Sequence, residues 1–475
     1  MSSKLSEITD GANGIGNISS FDEFSGIRNS ITDSTIKIPD FDTLIEMLNG
    51  SYDSFSNCDA PLGEELTDTI EKKMETEVDI LTIYEDILNE GSNSFPKLNK
   101  KAHISFTHGV IGYPLPAMFS KLDASKTWIA YWLMNSCILL ETELSKNERE
   151  NASKLLLKIL NTNINDNNDK YQGFGGGEYQ IFHLAASYAA ILTLALTKDQ
   201  NVWSQIDPIK VKNSLLELKL PNGSFIMHKG GESDTRAVYC ALCIAQIFDI
   251  LDDDITKGVF DWLIECQTYE GGFSGEPGDE AHGGYTFCAL AAMFILTSPD
   301  KILKSNLNID SLIKWTVDRQ YNLEGGFSGR TNKLVDGCYS HWIGGSCALI
   351  ETLINYNSKS KTFIPICDRQ KLQNYILCCC QDKFGLRDKP GCSADFYHTN
   401  YVLCGLSMCQ HYQVYDDKLS VEFAPAFGSI PQKISDSDII DIKSGNIVSA
   451  IDSVFGLPYG YAKDMYSYYH KAYSM

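Results

Sequence analysis

The sequence predicts an all-α protein, an α/α barrel (toroid) of about six helical hairpins with an inner and an outer ring of helices. Two observations predict it: a Gly-Phe loop that recurs every 48 to 54 residues, and an apolar run that follows each loop. Repeats with a period near 50 indicate either an open solenoid or a closed ring of hairpins. The runs are apolar on nearly all sides and must be buried, which a closed inner ring achieves.

Four loops carry the repeated element, QGFGGG, NGSFIM, EGGFSGEPG and EGGFSGR, and their phenylalanines are Phe174, Phe225, Phe273 and Phe327. A weaker fifth copy, FGLRDKPG, has Leu386 in that position. Each loop follows a helical pattern such as VFDWLIECQ and precedes a run rich in small and aromatic residues, such as GGYTFCALAAMFIL. An earlier run, TWIAYWLMNSCILL, resembles these runs but lacks its own Gly-rich loop, so the sequence predicts six inner helices.

Composition limits the classes of protein to which this chain can belong. Hydrophobic residues make up 43% and charged residues 21% of its 475 residues, which is typical of a folded globular chain. No apolar run reaches the roughly 18 residues that a membrane span needs, and MSSKLSEITDGANGIG contains no apolar signal segment. We therefore expect a cytoplasmic protein with no direct membrane span, whose 15 cysteines are mostly reduced.

The formal net charge of −21 argues against nucleic acid or an anionic membrane as the main partner. A local basic site for an anionic substrate is compatible with it. Residues 1–64 are rich in Ser, Asp, Asn and Gly and are expected to form a poorly ordered or peripheral extension. Helical patterning begins at Glu65, so we assign the barrel to residues 65–475, with loops at 161–170 and 423–438.

The repeat register brings distant residues together at one mouth of the barrel. Eleven residues after the loop phenylalanines, or twelve after Leu386, the first turns of the inner helices hold Ala185, Arg236, Gly284, Cys338 and His398. Asp336 stands two residues before Cys338, so an Asp, a Cys and a His are predicted to meet. Such O, S and N donors suit Zn²⁺, and three protein ligands leave a coordination position open, as in catalytic sites. Taken singly, Cys338 is also consistent with a core cysteine and His398 with a core or capping histidine.

A cationic rim is predicted beside these residues. The loop GRTNKLVDGCY carries Arg330 and Lys333, with Tyr339 and His282 as hydrogen-bond donors, and a phosphate or diphosphate fits such a cluster. The alternative is a pair of solvated surface cations. Below the rim, aromatic residues would line an apolar slot whose π faces suit a developing cation, although ordinary core aromatics need no function: Trp128, Tyr188, Tyr239, Tyr285, Trp342 and Tyr401.

Five segments resemble, in the same order, those of the protein prenyltransferase β-subunit family: GFGGG…HLA, NGSFIMHKGGESDTRAVYC, EAHGGYTFC, GRTNKLVDGCYS and GLRDKPG…DFYHT. A sixth, LDASKTWIAYW, is similar to the farnesyl-transferring members in particular. The resemblance runs from about Lys100 to Tyr412 and more faintly back to Glu65. It implies a zinc α/α barrel that forms the catalytic half of an obligate heterodimer with a helical-repeat α subunit.

The resemblance implies transfer of the farnesyl group of farnesyl diphosphate to the cysteine thiol of the CaaX motif at protein C-termini. By motif, one Zn²⁺ per β subunit would be held by Asp336, Cys338 and His398. The implied diphosphate site consists of His282, Arg330, Lys333 and Tyr339, and Asp388 resembles the residue that favours Mg²⁺ there; we count Lys333, Tyr339 and Asp388 as catalytic. The implied peptide-binding surface consists of Arg236, His183, Ser125, Trp128, Trp132 and Tyr397.

The length of the isoprenoid donor is expected to depend on Trp128 and Tyr401, because relatives that transfer geranylgeranyl groups are expected to have smaller or less polar residues there. Burying the five extra carbons of a fourth isoprene unit would contribute up to about 4 kcal/mol. If Trp128 and Tyr401 fill that space, the longer chain clashes with them instead. We therefore expect the 15-carbon donor. The alternatives are a type I geranylgeranyltransferase β subunit and a non-catalytic helical-ring scaffold, which predicts no stoichiometric zinc.

Four positions depart from the pattern of the family. Ala186 stands where relatives commonly have proline, in the region of the last substrate residue. Cys392 and Ala394 replace basic residues found in some relatives near the diphosphate, which makes the Mg²⁺ dependence hard to predict. His341 replaces an aromatic residue beside the expected metal site.

Overall fold

The computed structural model of the chain describes residues 67–91, 95–111, 117–162, 170–356 and 363–473. The predicted extension, 1–64, and most of the predicted loop 161–170 lie outside these ranges. In chain order the helices are α1 (Asp68–Glu90), α2 (Lys100–His108), α3 (Lys126–Leu139), α4 (Lys146–Thr162), α5 (Leu184–Thr197), α6 (Gln200–Trp203), α7 (Pro208–Leu218), α8 (Thr235–Ile247), α9 (Asp253–Thr256), α10 (Val259–Glu265), α11 (Gly283–Leu296), α12 (Pro299–Leu303), α13 (Ile309–Val317), α14 (Tyr339–Tyr356), α15 (Arg369–Cys379), α16 (Phe396–Gln410), α17 (Asp417–Glu422) and α18 (Tyr461–Tyr473).

The six predicted inner helices form a closed ring, which confirms the α/α barrel. In ring order α3, α5, α8, α11, α14 and α16 each pack against the next, and α16 packs back against α3. Outer helices cover them, among them α4 on α5, α10 on α11, α13 on α14 and α15 on α16. In α5 every residue except Ala185 is buried, as expected for a helix that is apolar on all sides. Of the helices that the structure describes, none has the length and apolar character needed to cross a membrane.

In three of the five repeats a hydrogen bond fixes the register between the loop and the inner helix. Backbone N–H groups of Phe174, Phe273 and Leu386 donate to hydroxyl oxygens thirteen residues later in the following inner helix, those of Ser187, Thr286 and Thr399, at 2.9–3.0 Å. The loop side chains themselves are almost fully buried. Because a buried N–H without a partner is costly, the bond fixes where each loop meets its helix.

The segment that closes the deep end of the barrel was not predicted. Three inner-ring hydroxyls, those of Tyr131, Tyr188 and Tyr239, donate to the backbone carbonyls of residues 456, 455 and 454 at 2.6, 3.1 and 2.7 Å. Asp452 holds this segment in a turn because its Oδ1 accepts the N–H groups of residues 454 and 455. Polar groups that would be unsatisfied inside an apolar ring thus satisfy one another.

The predicted loop 423–438 is partly wrong. Residues Ser429–Lys433 form strand β2, which pairs antiparallel with β1 (His411–Tyr415), so that His411 lies opposite Lys433 and Tyr415 opposite Ser429. β1 directly continues the last inner helix, α16. The sequence gives little sign of β2, since its only apolar residue is Ile430 and Pro431 interrupts the strand.

Replacement of Gly405 by alanine should destabilise the fold, because α14 and α16 cross there. A Cβ at Gly405 would meet the Cβ of Ser340 and lie 2.6 Å from the carbonyl carbon of that residue. We expect Gly405→Ala to lower the free energy of unfolding by about 2 kcal/mol. The matched control is Gly344→Ala in α14, where the nearest atoms lie 3.9 Å away and better helix propensity should compensate. Equal thermal unfolding of the two variants would contradict this account of the crossing.

His341 makes the barrel acid-sensitive. Its ring is 2% exposed, packs 4.6–4.9 Å from Phe287, Trp342 and Tyr401, and its Nδ1 has no hydrogen-bond partner among the described residues. Burial lowers the pKa of His341 to about 3. Below pH 6.5 the unfolded chain therefore binds a proton on His341, whereas the folded chain binds it only near pH 3. The free energy of unfolding falls as the pH is lowered through that range.

His341→Phe should remove that acid sensitivity while keeping the aromatic packing. The slope of unfolding free energy against pH should decrease by up to about 1.4 kcal/mol per pH unit below pH 6. Chemical unfolding measured between pH 5 and pH 8 checks this. Parallel pH profiles for the two proteins would show that His341 is not a source of the loss.

Candidate metal and anion site at the mouth of the barrel

The inner helices place polar side chains at one end, because five of the six begin with a side chain that caps the first turn. His183, Asp234, His282 and Asp395 each accept a backbone N–H of the first turn, of α5, α8, α11 and α16. Asp336 does the same before α14, where its Oδ1 accepts the N–H of Cys338 at 2.8 Å. An N-cap side chain satisfies donors that the helix leaves open. The caps therefore form a polar rim above an apolar barrel.

Asp336, Cys338 and His398 come together as the sequence predicts. One ligand atom from each lies within 4.8 Å of the other two. Asp336 and Cys338 both precede α14, which begins at Tyr339, so the two side chains can converge although they are two residues apart. A hydrogen bond from the Gly337 N–H to the Asp388 carbonyl, at 2.6 Å, fixes this bend.

A metal ion that bound here would have to displace protons from His398 and Cys338. Burial lowers the pKa of His398, but the Asp336 and Asp395 carboxylates outweigh it and raise that pKa to about 9. Burial would raise the pKa of Asp336, yet the hydrogen bond with His398 and its charge keep that pKa low. Burial, together with the charge of Asp336, raises the pKa of the Cys338 thiol well above its ordinary value. A cation that bound here would take two protons from the site, which makes its affinity dependent on pH.

Asp395 and Tyr397 support this site, but the repeat register read from the sequence missed the first and misplaced the second. The N-cap of α16 is Asp395, so Tyr397 and not His398 is the structural equivalent of Cys338. Asp395 Oδ2 lies 2.7 Å from His398 Nδ1, which turns the Nε2 toward Asp336. Trp342 Nε1 donates to the Tyr397 hydroxyl at 3.0 Å, and that hydroxyl is hydrogen-bonded in turn to Cys338. Only the Asp-x-x-His spacing could have indicated Asp395.

The predicted anion cluster lies beside the candidate metal ligands. A cavity of about 600 Å³ opens between α8, α11 and α14, and its lining includes His282, Arg330 and Tyr339. The Tyr339 hydroxyl lies 3.0 Å from His282 Nε2. Burial and the Arg330 charge lower the pKa of His282 to about 4, so its imidazole is neutral near pH 7. Glu280 also lies at this rim, with its Oε2 3.0 Å from Arg330 Nη1.

Lys333 and Asp388 are near this cluster but are not part of the cavity lining. Lys333 lies on the same loop as Arg330, and its carbonyl accepts the Tyr321 hydroxyl at 2.8 Å. Asp388 Oδ2 accepts from Lys389 Nζ at 2.7 Å, while its Oδ1 is buried without a hydrogen-bond partner in the described part of the chain. The backbone carbonyl of Asp388 therefore contacts Gly337, between Asp336 and Cys338, and one oxygen of its carboxylate accepts no hydrogen bond from the described residues.

Aromatic rings encircle the barrel below the rim. Neighbouring rings lie 4.6–5.8 Å apart in a closed sequence. In order, the ring consists of Trp342, Tyr401, Tyr397, Trp132, Trp128, Tyr188, Tyr239 and Phe287. The predicted Tyr285 lies outside it at the rim, under the Arg236 guanidinium at 5.5 Å. The ring thus begins beside Cys338, to which the Tyr397 hydroxyl is hydrogen-bonded, and reaches the segment 454–456 through Tyr188 and Tyr239.

The remaining predicted residues are separated along the rim. Arg236 Nε donates to Asp234 Oδ2 at 3.1 Å, which ties the guanidinium to the cap of its own helix. His183 caps α5 with its Nδ1, and its ring lies 5.3 Å from that of His228. Ser125 stands at the N-terminus of α3. Arg236 lines the cavity described above, whereas His183 and Ser125 lie beyond it.

Comparison with known proteins identifies the relatives of this chain. Residues 98–457 match the prenyltransferase α/α toroid domain. The protein farnesyltransferase subunit β of Schizosaccharomyces pombe is 42% identical over 349 residues, which cover 72% of this chain and 85% of that protein. The subunit β of Pyricularia oryzae is 40% identical over 345 residues, or 68% of this chain and 65% of that protein.

A solved structure shares the fold. Candida albicans protein geranylgeranyltransferase-I complexed with GGPP has a TM-score of 0.58 and 22% identity, and the match covers 78% of this chain and 98% of that one. At this identity the structural likeness supports the fold alone. On the sequence matches and the toroid domain together, the chain belongs to the protein farnesyltransferase β-subunit family.

Proposed function

We propose that this chain is the catalytic subunit of a zinc-dependent protein farnesyltransferase. The substrates would be farnesyl diphosphate and the CaaX cysteine of protein C-termini. The observation that carries the proposal is the meeting of Asp336, Cys338 and His398 beside a cavity that is lined in part by the Arg330 guanidinium, and next to a closed ring of aromatic side chains. A reaction between a thiol and an isoprenoid diphosphate needs those three environments at one place. The names of the relatives support it, and the word subunit in them supports an α partner.

Asp336, Cys338 and His398 fit one zinc ion by the chemistry of their donors, and Asp395 would hold the His398 imidazole in the tautomer that presents Nε2. When bound, zinc would supply a Lewis acid with an open position at which a substrate thiol ionises near neutral pH. The Tyr397 hydroxyl, directed at Cys338, would stabilise the thiolate form of that ligand. Asp336 has no need to act as a base.

The departing diphosphate would meet a defined set of donors. His282 Nδ1 accepts the Gly284 N–H at 3.0 Å, so the neutral ring carries its proton on Nε2. That N–H donates to the Tyr339 oxygen, which leaves the phenolic O–H free to donate to a phosphate oxygen. Together with the Arg330 charge, this donor stabilises negative charge that grows on the leaving group. We assign Lys333 as a further cation and Asp388 as the residue that favours Mg²⁺ there.

The aromatic slot would hold the isoprenoid chain and determine its length. Tyr285, Trp342 and Tyr239 present π faces along the path from the rim, which suit positive charge at the reacting carbon. Trp128 and Tyr401 belong to the aromatic ring, and we assign them to the choice of a 15-carbon donor. The peptide would bind along the adjoining rim of Arg236, His183, Ser125, Trp128, Trp132 and Tyr397, with Tyr188 behind it.

The test is prenyl transfer to CaaX peptides by this chain co-expressed with a farnesyltransferase α subunit, with farnesyl and geranylgeranyl diphosphate offered separately. We expect zinc-dependent farnesyl transfer. Cys338→Ala should reduce farnesyl transfer more than about 100-fold. Loss of a residue that only hydrogen-bonds to a metal ligand costs about 10- to 100-fold, and loss of the ligand itself should cost more. Cys378→Ala, in outer helix α15, is the matched control and should retain activity.

Each other outcome would overturn a separate part of the proposal. Preferred geranylgeranyl transfer would retain the zinc chemistry but contradict the roles of Trp128 and Tyr401. Zinc binding without transfer from either donor would contradict the catalytic role. A folded heterodimer without stoichiometric zinc would favour the helical-ring scaffold.

A further inference from the structure

Two carboxylates stand at the rim of a cavity that is otherwise suited to an anion. Glu280 and Asp279 line the same cavity as His282, Arg330 and Tyr339. Glu280 accepts a hydrogen bond from Arg330 at 3.0 Å, and the two side chains are 49% and 41% exposed. Carboxylates repel a diphosphate, so their position beside the principal cation requires a physical reason.

The loop that carries Arg330 is held rigidly from its other side. Arg319, 4% exposed, donates through Nη1 to the Thr331 hydroxyl at 3.0 Å, and that hydroxyl donates to Glu270 at 3.0 Å. Arg319 Nε is itself bonded to the Trp315 carbonyl. The backbone beside Arg330 is thus fixed, and the exposed guanidinium can exchange partners by side-chain rotation alone.

We propose that Glu280 is a positioning residue that competes with the diphosphate for the Arg330 guanidinium. By this competition it limits the affinity of the site for both the prenyl diphosphate and the released diphosphate. The inference rests on the proposed function of the site, in which the Arg330 charge stabilises the leaving group. A half-exposed ion pair is weak, so a multiply charged diphosphate displaces it readily.

The competition has a kinetic consequence. A cation that binds diphosphate equally well before and after reaction retains the product as firmly as it holds the donor, which lowers the rate of turnover without aiding chemistry. Glu280 returns to Arg330 as the diphosphate leaves and so favours release. The exchange breaks no covalent bond and moves no proton.

The experiment uses the heterodimer with Glu280→Gln, which keeps the shape of the side chain and removes its charge. We expect the Kd for farnesyl diphosphate and the inhibition constant of inorganic diphosphate each to fall about three- to tenfold. The KM for the peptide should not change, and kcat should fall or stay level as product release slows. The matched control is Asp279→Asn, which removes the same charge from the same rim.

Asp279 forms no ion pair within the described residues, so its variant should shift both constants less than twofold. A second control combines Glu280→Gln with Arg330→Gln. If Glu280 acts through Arg330, its removal in that background should also shift the inhibition constant of inorganic diphosphate less than twofold.

Three results would overturn the proposal. Equal tightening by Asp279→Asn, or persistence of the effect without Arg330, would mean that the net charge of the rim matters and not the pair. Weaker diphosphate binding by Glu280→Gln would mean that Glu280 orients Arg330 toward the ligand. A separate result, a wild-type heterodimer that binds inorganic diphosphate but transfers no prenyl group, would refute the proposed function. The effect of Glu280→Gln on diphosphate binding could still be measured in that case.

Discussion

The burial of six helices that are apolar on nearly all sides is the constraint on which the rest of the structure depends. Helices of this kind can share one core only if their polar groups find partners at the helix ends or within the ring. At one end, caps such as Asp234 and His282 form a rim; inside the ring, Tyr131, Tyr188 and Tyr239 donate to the segment 454–456. The candidate functional side chains are therefore gathered at the polar rim of the ring.

The same side chains at this rim cap helices and hold the candidate site together. Asp336 satisfies the N–H of Cys338 and is also placed to share a cation with it, while Asp395 caps α16 and orients His398. A carboxylate that ends a helix is already fixed in position, so little further ordering is needed for it to bind a ligand. His282 also has both roles, because the hydrogen bond by which it caps α11 determines which ring nitrogen carries the proton in the anion cluster.

The sequence was sufficient for features that repeat locally and insufficient for those that do not. The six inner helices, the meeting of Asp336 with Cys338 and His398, and the grouping of Arg330 with His282 and Tyr339 all follow from periodicity or motif. The predicted register of the fifth repeat was wrong by one residue, because Leu386 replaces the phenylalanine. The cap Asp395 and the bond to Thr399 reveal the true register. The segment 452–456, strand β2 and the pairing of Glu280 with Arg330 depend on contacts between distant residues, which no local pattern encodes.

The central claim is that this register brings an oxygen, a sulfur and a nitrogen donor to one metal ion. X-ray absorption at the zinc edge of the purified heterodimer tests it most directly. The account predicts stoichiometric zinc with a single sulfur neighbour at about 2.3 Å and oxygen or nitrogen neighbours at about 2.0–2.2 Å, the sulfur being lost in Cys338→Ala. Zinc surrounded by several sulfurs, or a sulfur signal that survives Cys338→Ala, would contradict it.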